Sequence, residues 1–178
     1  MNPQVLRVGL AVAAAGAVAA TTVVAAQGDP GHDHGSKVVR TSLTGYNEDP
    51  SALSTPARGS FTATIDQRDQ EIRYVLQYEG LPTTAAQAHI HFGNPSQSGG
   101  ISTFLCTNLG NGPAGTQACP TSGTVTGTIT PADVIGPVGQ GIGPGEFREL
   151  VDAIEAHTAY VNVHSTQYPG GEIRGQLR

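Results

Sequence analysis

The sequence predicts an all-β domain: a Greek-key-like β-sandwich or partly closed barrel of seven to eight antiparallel strands, with one helix inserted late. Three observations carry that expectation. Short stretches alternate apolar and polar residues with the two-residue period of a strand, as in Phe61, Ala63 and Ile65 against Thr62, Thr64 and Asp66. Turn signals recur between these stretches, the 178-residue chain holding 24 Gly and 12 Pro. Charged residues make up only 13%, and tryptophan is absent; Thr and Ser fill the polar positions instead, which suits strands better than helices.

Residues 38–43 form the first predicted strand, followed by a turn-rich link through Asn47-Glu48-Asp49-Pro50 and Thr55-Pro56-Ala57-Arg58-Gly59. Residues 60–66 and 71–79 alternate cleanly on either side of a tight polar break at Arg68-Asp69, and read as a hairpin. Gly80-Leu81-Pro82 ends it, and a strand over 88–92 follows. After the turn residues 93–100, a short strand over 101–105 leads into Cys106; residues 123–130 alternate Val125, Gly127 and Ile129 against threonines.

Thr130-Pro131-Ala132-Asp133 has the form of a helix start, with a threonine cap, proline at the first helical position and an acidic residue three after the cap. Gly136-Pro137 stops it early. The convincing helix is 146–156, where Phe147, Leu150, Val151 and Ile154 fall at i, i+3, i+4 and i+7. A strand over 160–164, a turn at Tyr168-Pro169-Gly170-Gly171 and a last strand over 172–177 complete the chain.

The first 26 residues have the form of a secretory signal: Arg7, then an Ala/Val-rich run, then the small residues Val24-Ala25-Ala26 before an expected cleavage. A transmembrane anchor is the competing reading, but the run is mostly alanine and contains Gly9, Gly16, Thr21 and Thr22. Residues 27–37 form a polar lead-in carrying His32 and His34, read as a solvated tail with a capacity for loose metal binding. What remains, 38–178, suffices for one domain with a hydrophobic core.

The expected location is therefore secreted or otherwise extracytoplasmic, in the periplasm or at the cell surface, with no membrane span after signal cleavage. There Cys106 and Cys119 are expected to form a disulfide, worth about 3 kcal/mol by loop-closure entropy. The net charge of −5 and the lack of a basic stripe exclude nucleic acid as a partner.

Four of the six histidines lie beyond the N-terminal segment. In a strand, His89 and His91 project to one face while Ala88, Ile90 and Phe92 project to the other. The same alternation groups His164 with Asn162 and Tyr160, opposite Val161 and Val163. Three imidazoles on neighbouring strands suit zinc or copper and leave a coordination position open. Asn162, Glu172, Tyr160 or a backbone carbonyl is expected to hold the far nitrogens. Equally, the same residues can pin two strands together by hydrogen bonds alone. His157 is read as a residue at the helix C-terminus, and Glu172 with Arg174 as a polar cross-strand network.

Tyr160-Val161-Asn162-Val163-His164-Ser165, with Tyr168-Pro169-Gly170-Gly171-Glu172-Ile173-Arg174-Gly175-Gln176-Leu177, resembles the C-terminal signature of the CHRD domain. This domain was first recognised in chordin and also occurs singly in secreted microbial proteins. Ala88-His89-Ile90-His91-Phe92-Gly93 resembles the central motif of the same family. The resemblance spans residues 38–178 and implies an extracellular binding or structural module; docking on an extracellular protein or polymer through a sheet face, with the histidines locked by hydrogen bonds and no metal, is a third reading. The region from 130 to 156 is larger than the family's minimal form.

His-x-His-x-Phe-Gly is also similar to the copper-binding strand of copper/zinc superoxide dismutases, and implies a copper-dependent redox enzyme as the rival reading. The zinc loop of those enzymes has no counterpart here, since residues 93–124 hold no histidine or acidic residue. No catalytic residue is assigned. The chain has no nucleophile elbow, phosphate loop or dinucleotide fingerprint, and Ser165 faces away from His164.

Overall fold

A computed structural model describes residues 36–178. The signal-like segment, most of the lead-in, and His32 and His34 lie outside the described residues. Eight strands and one α-helix follow in the expected order: β1 (Lys37–Thr44), β2 (Arg58–Asp66), β3 (Glu71–Glu79), β4 (Ala85–Phe92), β5 (Gly100–Thr107), β6 (Gly123–Ile129), α1 (Phe147–Glu155), β7 (Ala159–Ser165) and β8 (Ile173–Gln176). The capping box at Thr130 and Asp133 is present, but it opens only a single 3₁₀ turn, Pro131–Asp133.

All eight strands belong to one sheet, ordered β5-β4-β7-β8-β1-β2-β3-β6. Every pairing is antiparallel. Of the two architectures the sequence allows, the molecule takes the nearly closed barrel. The connections β3–β4, β5–β6 and β6–β7 each pass from one half of the sheet to the other, which gives the Greek-key character. β1 and β8 join the halves through Thr44 and Arg174.

The two edge strands, β5 and β6, approach without pairing, and the disulfide loop fills the seam between them. Cys106 at the end of β5 is bonded to Cys119. The Thr107 amide donates to Gln117 O (2.9 Å), and Gln117 Nε2 donates to Thr126 O on β6 (3.0 Å). Unpaired edge groups are thereby satisfied by a loop that the disulfide holds in place.

Alternation decides the core. In β3, Ile72, Tyr74, Leu76 and Tyr78 point inward and are buried while Arg73, Val75 and Gln77 stay exposed. The apolar stripe of α1, Phe147, Leu150, Val151 and Ile154, enters the same core. β7 departs from the half-wet pattern: all seven of its residues are buried. Its inner face carries Val161 and Val163, and its outer face, with Tyr160, Asn162 and His164, lies under loops. Those loops come from the β1–β2, β4–β5 and β7–β8 connections, and they turn a polar sheet face into an enclosed site.

Candidate metal centre

The β4–β7 register brings the three histidines together. His89 lies opposite Asn162, His91 opposite Tyr160 and Gln87 opposite His164, so His89 and His164 are diagonal neighbours. His89 Nδ1 lies 3.2 Å from His164 Nε2. One ligand nitrogen from each of His89, His91 and His164 falls within 4.8 Å of the others. Three imidazole nitrogens this close make up a candidate ligand set for one ion. His89 is fully buried, and His91 and His164 are only 8% and 5% exposed.

Backbone carbonyls fix the tautomers. His91 Nδ1 lies 2.9 Å from Gly99 O, and His164 Nδ1 lies 3.0 Å from Pro169 O. A carbonyl only accepts, so each Nδ1 carries the proton and each Nε2 presents a lone pair. His164 Nε2 then accepts from His89 Nδ1–H, which leaves a lone pair on His89 Nε2 as well. The Nε2 atoms of His89 and His91 are buried with no hydrogen-bond partner. Such orphaned acceptors are costly in a folded protein, and a bound cation would satisfy them.

Electrostatics keeps the cluster neutral. Burial lowers His89 to about 2, with help from the neighbouring His164 and His91. Burial likewise lowers His91 and His164 to about 4, against the opposing pull of the Gly99 and Pro169 carbonyls. Deprotonated imidazole is the form that binds a metal.

A layered support surrounds the cluster. The Tyr160 ring stacks on His91 at 4.8 Å and 3°, and the Arg174 guanidinium lies 3.5 Å over the other side of that ring. Arg174 Nη2 donates to Asn94 O (2.7 Å) and Gln97 O (3.0 Å), holding the loop that supplies Gly99. The Gly99 amide donates to Tyr160 Oη at 3.0 Å. Phe104 meets the His89 ring edge-on at 4.4 Å. Gly99 has no room for a side chain: an added Cβ would lie 1.7 Å from Phe92 O.

Two of the expected supporting residues point elsewhere. Asn162 Nδ2 donates to Glu48 Oε1 (2.6 Å) and Ile173 O (3.2 Å), and Glu172 Oε1 accepts from Thr55 Oγ1 (2.6 Å). The two side chains serve the β1–β2 loop, and the carbonyls of Gly99 and Pro169 take the histidine nitrogens. Glu172 and Arg174 likewise reach different loops and form no ion pair with each other among the described residues. His157 sits just past α1 with a positive φ of 58° and its Nδ1 3.3 Å from Leu177 O. Sequence reasoning missed Gly99, Phe104 and Glu48. The Gly99-Gly100 pair was the one local signal that a chain segment packs closely there.

The family model for the CHRD domain matches residues 39–177, nearly everything the structure describes and all of β2 to β8 with their loops. The chain belongs to the CHRD domain family. Both histidine strands of this CHRD domain, and the loops that cover them, fall inside the match. No curated protein and no solved structure matches the chain. Among the described residues, no helix is long and apolar enough to cross a membrane.

Proposed function

We propose that this CHRD domain is an exported binding module that holds one transition-metal ion, zinc or copper, at His89, His91 and His164. The observation that carries the proposal is the convergence of three neutral imidazoles, two of them with their Nδ1–H locked onto a carbonyl, together with the buried Nε2 atoms of His89 and His91, which have no partner. Burial of the cluster supports retention of an ion over turnover of a substrate. Family membership and the disulfide support an extracytoplasmic site of action, reached through a signal peptide over residues 1–26.

Metal content of protein purified without chelator tests this reading. One equivalent of zinc or copper per chain is expected, and a metal-free product that takes up neither would overturn it. The rival reading, a copper redox enzyme, draws support from the His-x-His strand and from His164 closing on it. It requires superoxide turnover by the copper-loaded protein above that of free copper; turnover at the free-copper level leaves the binding module alone.

A further inference from the structure

Outside the histidine cluster, a polar cleft of about 640 Å³ opens between β1, the β1–β2 loop and the C-terminal strand. Arg40, Arg174 and Arg178 line it, three of the nine basic Lys and Arg residues in a chain of net charge −5. Ion pairs among the described residues are Lys37–Glu155, Arg58–Glu79 and Arg73–Glu71, so none of the three arginines has a carboxylate within 4.0 Å. Arg174 is 2% exposed, spends its Nη2 on two carbonyls and lies over the Tyr160 ring; Glu48 feels its charge but does not pair with it, so the guanidinium has no contacting anion. A buried cation in that state favours an incoming oxyanion.

The cleft also holds groups suited to hydroxyls. Tyr46 stands on its rim, 72% exposed, as an aromatic platform. Glu48 and Asp49 face the cleft too, but they are anchored by Asn162 and Ser98 (2.6 and 2.8 Å), not by the arginines. Unpaired arginines match a carboxylate, fixed acidic side chains accept from hydroxyls, and an exposed ring covers the apolar face of a sugar. A bare inorganic anion would use only the first of these.

We infer that this cleft binds an acidic saccharide, a uronate unit of an extracellular polymer, with Arg40, Arg174 and Arg178 receiving the carboxylate and Tyr46 stacking on the ring. The cleft shares Arg174 with the support of the histidine cluster but none of the three histidines, and its test does not depend on metal. Calorimetric titration of the full chain with a galacturonate trimer and with a hyaluronan tetrasaccharide, beside a neutral galactose trimer and inorganic phosphate, provides it. At least one uronate probe should bind tenfold or more tighter than the neutral trimer and than phosphate, and should weaken with salt.

The R40A/R178A variant, which leaves the buried Arg174 in place, should lose a further tenfold or more, and Tyr46→Ala should weaken uronate without changing phosphate. Retention of the wild-type melting temperature in both variants separates these losses from misfolding. Absence of binding by both uronate probes overturns the inference. So does equal affinity for the neutral trimer or for phosphate, or uronate binding unchanged in R40A/R178A.

Discussion

Lowering the pH from 7 to 5 places a specific load on this fold. The unfolded chain protonates its histidines below about 6.5, whereas the folded cluster stays neutral until about 4 for His91 and His164 and about 2 for His89. Between those limits the unfolded state binds more protons, so the stability these groups confer is present above pH 6.5 and lost as the pH falls. At pH 5 the loss is about 2 kcal/mol per imidazole, or about 6 kcal/mol for the cluster relative to pH 7.

Glu48 acts in the opposite sense. Burial raises its carboxyl from 4.5 to about 7, against the Asn162 hydrogen bond and the Arg174 charge. Its folded form therefore takes up a proton as the pH falls through 7 and returns about 2 kcal/mol by pH 5. The net loss of roughly 4 kcal/mol is large against about 5–15 kcal/mol for a typical domain.

Urea unfolding of chelator-treated protein at the two pH values reads it directly, as a midpoint lower by about 2 M at pH 5. His91→Gln should shrink the pH difference by about 2 kcal/mol. Equal midpoints at pH 7 and 5, or imidazole titrations near 6.5 by NMR, would refute the reasoning.

Further outcomes follow from the packing around the cluster. Gly99→Ala forces a Cβ onto Phe92 O and displaces the carbonyl that orients His91; thermal unfolding should show a loss of about 2 kcal/mol or more, with weaker metal uptake in the same preparation. Gly171→Ala meets Asn162 Oδ1 and Glu48 Oε2, each at 2.7 Å, at a φ of +135°, and should destabilise the fold by a similar amount in the same assay. Replacing Cys106 and Cys119 by serine should cost about 3 kcal/mol in chemical denaturation and increase amide exchange along β5 and β6, whose seam the loop fills.

Where the fold was legible, alternation made it so. Ile72, Tyr74, Leu76 and Tyr78 announced an inward face, and Phe147, Leu150, Val151 and Ile154 announced the helix, because burial on one face imposes a period on the sequence. The grouping of His89, His91 and His164 followed from the same rule. Their enclosure did not, because it depends on loops arriving from the β1–β2, β4–β5 and β7–β8 connections, and loop paths leave no periodic trace.

The supporting groups were hidden for a related reason. Gly99 and Pro169 act through backbone carbonyls, which every residue carries, so side-chain chemistry pointed to Asn162 and Glu172 instead. Arg174 was visible as a strand residue, but its stack over Tyr160 and its hold on the 94–97 turn required the register of β7 against β8.

The most direct test of the central claim is calorimetric titration of metal-stripped protein with zinc and, separately, with copper, beside the His89→Ala/His91→Ala variant. The account predicts one ion per chain for the native protein and loss of that binding in the variant. No stoichiometric binding of either metal, or the same binding in both proteins, would contradict it.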